Sequence, residues 1–152
     1  VAVLLDTTAA VLLLRRKPPQ EARPLLDAAL GAIAGGTALL PAVAAAELLL
    51  GERRPEGAGR LRTALSHLPV VVLPAEAAAE AGSMGGFLAS VGASVPLPDL
   101  LIAATALWLG VPLLTWDSDF PRSVAVARGS DSRHPGAEPW RALRLHPASI
   151  PG

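Results

Sequence analysis

The chain has 152 residues, enough for one domain with a sizeable core, and 51% of them are hydrophobic. Its 13 basic and 13 acidic residues cancel, so it carries no overall basic footprint of the kind nucleic-acid binders show. It has no cysteine, which excludes a disulfide framework and any thiolate metal site.

The first apolar run, Val1 to Leu5, reads as a fully buried parallel strand that ends in Asp6, Thr7 and Thr8. A helix is expected over Ala9–Arg16. Asp6 interrupts the run, and Arg15, Arg16 and Lys17 follow it instead of preceding it, which argues against a signal peptide. No stretch reaches the ~18 apolar residues of a membrane span, and a cytoplasmic protein without membrane contact is expected. Pro18 and Pro19 mark a loop. Glu21 to Ala34 reads as a helix closed by Gly35 and Gly36, and Thr37 to Leu40 as a second strand.

Pro41 opens a helix, AVAAAELLL, that ends at Gly51 and contains one charge, Glu47. Arg53 to Arg60 reads as a loop or a break between helices, Arg60 to Leu68 as a short helix, and Val70 to Leu73 as a third strand between Pro69 and Pro74. Ala75 to Val91 is helical in composition, with Gly82, Gly85 and Gly86 suited to close helix packing. Pro98 and Asp99 open a further helix that runs to Leu109, stops at Gly110 and cannot pass Pro112. Val111 to Trp116 is a fourth strand, with Asp117 where it leaves the sheet. Ser123 to Ala127 is a candidate strand, Arg128 to Pro139 a mobile loop, and Ala142 to Leu145 a candidate last strand. The segment 121–140 as a whole reads as a loop or insertion. Strands separated by helices make βαβ units, hence a parallel sheet covered by helices in a single α/β domain over 1–152.

Ligands of such sheets bind at the carboxyl ends of the strands. Asp6 and Asp117 lie at those ends, Glu47 sits in a helix after a strand, and Asp99 begins the helix before one. All four can meet on one edge. A carboxylate in a helix as apolar as AVAAAELLL is costly to bury without a cation, and no lysine or arginine is near Glu47 in sequence. An oxygen-only ligand set favours Mg²⁺ or Mn²⁺ over zinc, and such a site suits phosphodiester hydrolysis. Each acid also has a plainer reading: Asp6 and Asp99 as helix caps, Glu47 as a solvent-facing residue, Asp117 and Asp119 as turn residues.

The segments LLDTT, PAVAAAELLLG, PDLLIAATAL and LLTWDSDF, in that order, resemble the signature of PIN-domain ribonucleases, in particular the VapC-like toxins of bacterial toxin–antitoxin pairs. The resemblance spans Val1 to Phe120. It implies a three-layer α/β/α PIN-like fold with a central parallel sheet of four to five strands, and a metal-dependent endoribonuclease. Asp6, Glu47, Asp99 and Asp117 would be the catalytic acids holding Mg²⁺ or Mn²⁺, with Thr7, Thr115 and Asp119 supporting them. It further implies a homodimer, an RNA substrate and a small cognate antitoxin, VapB-like, whose tail occludes the site. Position 8 is Thr where family members often carry Ser or Asn, which keeps a hydroxyl. With the four acids neutralised by cations, nine would remain against thirteen bases, and the outer surface would be net positive. A non-cleaving PIN-like module that binds RNA or protein, or a housekeeping RNA-processing nuclease, is the alternative.

Other chemistries fail on context. Ala81-Gly82-Ser83-Met84-Gly85 approaches a G-x-S-x-G elbow, but the preceding run is helical and the first glycine is alanine. An aspartyl-phosphate phosphatase would want an acid two residues after Asp6, where Thr8 stands. A receiver domain would want a late lysine, and Lys17 is the only one. His67, His134 and His146 are widely spaced and need no role beyond solvation.

Overall fold

The computed structural model describes residues 1–149. β1 (Val3–Leu5) leads into α1 (Thr7–Leu14), and a 3₁₀ turn over Gln20–Ala22 precedes α2 (Arg23–Ala34). β2 (Ala38–Pro41), α3 (Ala42–Gly51), α4 (Pro55–Leu65) and β3 (Val70–Val71) follow. The second half contains α5 (Ala75–Ser90), α6 (Leu97–Leu109), β4 (Leu113–Leu114), α7 (Asp119–Arg128) and α8 (Ala137–Ala142), then a 3₁₀ turn over Pro147–Ser149.

The four strands form one parallel sheet in the order β3-β2-β1-β4, flanked by helices, which is the α/β architecture expected. Leu4 pairs with Leu39 on one side and Leu113 on the other, and both Leu4 and Leu5 are fully buried. The strands run β1, β2, β3 toward one edge, and then the chain crosses back to place β4 on the far side of β1. That reversal makes a crevice between the carboxyl ends of β1 and β4, the place where open α/β sheets bind ligands. Among the described residues no helix is long and apolar enough to cross a membrane.

Helix α6 is almost wholly apolar, and it is buried over Ile102–Ala106 because α5, α3 and α8 all pack on it. Gly85 makes the close contact with α5 possible: a Cβ there would lie 2.7 Å from Leu100 Cδ1. Gly110 ends α6 in the left-handed conformation at φ 68°, as a residue without a Cβ does most readily.

The second half differs from the sequence reading in its details. Ser123–Ala127 is helix, since it lies inside α7, and its core-facing positions Ser123, Val124 and Ala127 follow helical spacing. The expected loop over 121–140 is therefore helical at both ends. Its irregular middle is held by Arg141, whose Nε donates to Ala127 O (2.9 Å) and whose Nη2 donates to Ser130 O (2.8 Å) and Ser132 O (3.1 Å). The last strand shrinks to a single parallel bridge between Leu145 and Leu113, because α8 extends to Ala142. Arg53–Arg60 is also mostly helix: Pro55 stands in the first turn of α4, where its missing N–H costs nothing. His134 has a structural use, as its Nδ1 accepts the N–H of Gly136 at 3.0 Å and its ring packs against Phe87.

Candidate active site

Asp6 leaves β1 with extended backbone and caps α1, its Oδ1 accepting the N–H of Ala9 at 2.8 Å. It is 1% exposed. Two hydroxyls serve the same carboxylate. Thr8 Oγ1 lies 2.8 and 2.9 Å from its oxygens, and Thr115 Oγ1 donates to Oδ2. The expected capping role of Asp6 and its place at the strand end are thus one geometry. Burial pushes its pKa up to about 6, against the opposing hydrogen bonds from Thr115, Ala9 and Thr8, and the charge of Asp117 adds to the rise.

Thr115 follows β4 directly and is fully buried. Its hydroxyl also accepts the N–H of Asp117 at 2.9 Å, while its own N–H donates to Ser149 Oγ at 2.8 Å. Thr8 repeats the device by accepting the N–H of Trp116 at 2.9 Å. The turn after β4 is therefore fastened to the end of β1 by two hydroxyls. Asp117 then receives the N–H of Asp119 on its Oδ1 at 2.9 Å, the turn geometry that Asp-Ser-Asp suits.

Asp99 does not cap α6. The helix opens two residues earlier, with Pro96 as its N-cap, so Asp99 stands in the first turn with no side-chain cap bond. One oxygen each from Asp99, Asp117 and Asp119 lie within 4.8 Å of one another, and all three side chains are half-buried. The pKa of Asp99 is pushed up to about 7, by burial first and then by the charges of Asp117, Asp119, Glu47 and Asp6. Asp6 and Glu47 stand outside the tight trio, yet their fields reach it. Glu47, half-buried on α3, accepts from Thr7 Oγ1 at 2.6 Å.

Thr8, expected to keep a hydroxyl at its position, uses it on the Asp6 carboxylate. Two residues of this neighbourhood lie outside the sequence reading. Ser149 and Arg122 carried no local sign. Arg122 Nη2 sits 2.8 Å from Asp119 Oδ1.

A parallel α/β domain with carboxylates gathered at its switch-point crevice is the class that this fold and site define. A profile of the PIN domain family matches residues 3–125, and the chain belongs to that family. Membership implies nuclease chemistry. The chain is similar in fold to a chain of the VapBC2 complex from Rickettsia felis bound to a DNA fragment from its promoter. That likeness has 20% identity, covers 96% of this chain and 98% of the other, and has a TM-score of 0.69. It is also similar to DNA-bound VapBC from Salmonella typhimurium, at 21% identity over 96% and 97% of the two chains with a TM-score of 0.67. A toxin–antitoxin complex from Klebsiella pneumoniae matches at 22% identity over 78% and 90% with a TM-score of 0.60. Among curated protein sequences none matched.

Proposed function

We propose that the chain is a divalent-metal-dependent endoribonuclease and the toxin of a toxin–antitoxin pair. The observation that carries the reading is the carboxylate cluster at the crevice between β1 and β4, where Asp99 and Asp6 hold their protons well above the usual carboxylate range. Acids kept this close repel one another unless a cation is shared among them. The donor set is all oxygen, with neither imidazole nor thiolate in it, and so fits Mg²⁺ or Mn²⁺.

Asp6, Glu47, Asp99 and Asp117 would hold the ion, with Asp119 as an auxiliary acid. Once bound, it would supply charge neutralisation at the scissile phosphate and an acidified water. The protein's own part is positioning. Thr115 and Thr8 fix both oxygens of Asp6, Thr7 fixes Glu47, and the Asp117–Asp119 turn keeps those two carboxylates facing Asp99. None of the four acids forms an ion pair among the described residues, so their charge is left for a ligand.

The similar VapBC complexes and the toxin–antitoxin complex support a small antitoxin as partner, and a homodimer agrees with the family pattern. The decisive test is cleavage of single-stranded RNA with Mg²⁺ or Mn²⁺ by the wild type, Asp6→Asn and Asp99→Asn. Loss of cutting in both variants and on chelation is expected. Cutting indifferent to all three would overturn the metal mechanism.

A further inference from the structure

Beside the carboxylates lies a cavity of the opposite chemical character. It has a volume of about 230 Å³ and lies between the loop at 91–96 and α7, lined by Ser94, Val95, Arg122, Ser123 and their neighbours, with no acid among them. Arg122 joins it to the cluster. Its Nη2 bonds Asp119 Oδ1 at 2.8 Å and Ser118 Oγ at 3.2 Å, the only ion pair made to an acid of the cluster among the described residues. The Nε and Nη1 donors of that guanidinium take no acceptor among the described residues.

Two hydroxyls of the lining are likewise without a hydrogen-bond partner among the described residues, those of Ser94 and Ser123. Ser123 is only 2% exposed, while Ser94 stands exposed at the rim of this space. A guanidinium with spare donors and two free hydroxyls around an acid-free cavity are the parts of an anion site, since Arg presents a fork that matches phosphate oxygens. The larger cavity of about 620 Å³ near Glu47 also holds Arg15, Arg54 and Arg60, but it carries Glu47 and Glu52 as well.

We propose that the Arg122 cavity is a subsite for a backbone phosphate of the RNA adjacent to the one that is cut, with Ser94 and Ser123 as its hydroxyl donors. The proposal rests on the nuclease reading. Arg122 reaches the reacting centre through Asp119, so the strand would cross the acids with one phosphate at the cluster and the next on the guanidinium.

The test uses an Asp99→Asn background, which prevents cutting, and a labelled single-stranded RNA of mixed sequence in Mg²⁺. Fluorescence anisotropy gives the affinity across a KCl series. Changing Arg122 to Gln is expected to weaken binding roughly tenfold, as loss of a charge-assisted hydrogen bond does, and to lower the salt slope by about 0.7, the value of one phosphate contact on a single strand. Arg122→Lys should restore the slope but only part of the affinity. With Arg122 alone changed, cleavage should lose mainly in KM, and Mn²⁺ affinity measured by calorimetry should not fall, since Asp119 loses a competing cation. An unaltered salt slope, or a loss confined to Mn²⁺ affinity, would overturn the subsite and leave Arg122 as a support for Asp119. Failure of the wild type to bind or cut RNA at all would overturn the nuclease reading itself.

Discussion

The Thr115 hydroxyl donates to Asp6 Oδ2 and accepts the N–H of Asp117, so one oxygen ties the end of β1 to the turn after β4. Removing it should loosen both acids at once. Thr115→Val keeps the branched shape but leaves Asp6 with one hydroxyl fewer and the Asp117 N–H without its acceptor. A stability loss of about 1–3 kcal/mol is expected from the unmet polar groups, together with a fall of roughly 10–100-fold in Mn²⁺ affinity or cleavage. Thr115→Ser should recover most of both. Calorimetric titration with Mn²⁺ beside urea unfolding separates the two effects.

The raised acids make folding stability depend on pH in a definite direction. Asp6 at about 6 and Asp99 at about 7 keep protons in the folded state that the unfolded chain, near 3.8, has already released. Between about pH 4 and 7 the folded state binds more protons, so its stability falls as pH rises through that window. The contribution is fully present below the unfolded value and gone above the folded one. In the absence of divalent ions the urea midpoint should drop from pH 4.5 to 7.5, and Asp6→Asn and Asp99→Asn should each flatten the curve. Because a cation competes with those protons, Mn²⁺ should raise the melting temperature more at pH 7.5 than at pH 5. An equal rise at both would mean that the carboxylates do not hold the ion.

Asp6→Asn should separate folding from function cleanly. The amide oxygen can still accept from Ala9 N–H, since Asn caps helices about as well as Asp, and the neighbouring hydroxyls can rotate to accept from its NH₂. A buried charge disappears as well. The variant is therefore expected to be at least as stable as the wild type at pH 8 without metal, while cleavage falls by roughly 10²-fold or more. Circular dichroism melts and RNA cleavage on the same sample check it.

The crevice was legible because its acids end or begin apolar segments. Asp6 closes a five-residue apolar run, and Asp117 follows another, so both strand ends could be located without a structure. Asp99 was placed rightly at a helix start, and the plainer alternative of a mere cap falls away because the helix opens at Leu97 with Pro96 as its N-cap, a choice between two prolines that only the backbone decides. What followed Phe120 was harder. Ser-Val-Ala-Val-Ala alternates like a strand, and nothing local says that Val124 and Ala127 will face the core from α7. The loop at 129–136 reads as mobile from its Gly, Ser and Pro, because its order comes from Arg141, beyond the loop itself.

Two glycines at the α5 surface should respond differently to alanine. At Gly85 the added methyl would meet the end of the Leu100 side chain at 2.7 Å, which can turn aside, so a loss of about 1 kcal/mol is expected. At Gly136 it would lie 1.9 Å from Ser83 O and 2.9 Å from Met84 N, both backbone atoms of α5. Neither can yield without moving the helix. Gly136→Ala should cost about 3 kcal/mol or more and detach Trp140, whose indole N–H donates to Met84 O at 3.2 Å. Trp140 is fully buried, so its fluorescence should shift to the red in the native state of Gly136→Ala and stay put in Gly85→Ala. An unshifted spectrum with an unchanged melting temperature in Gly136→Ala would show that the approach of 129–136 to α5 is looser than this packing requires.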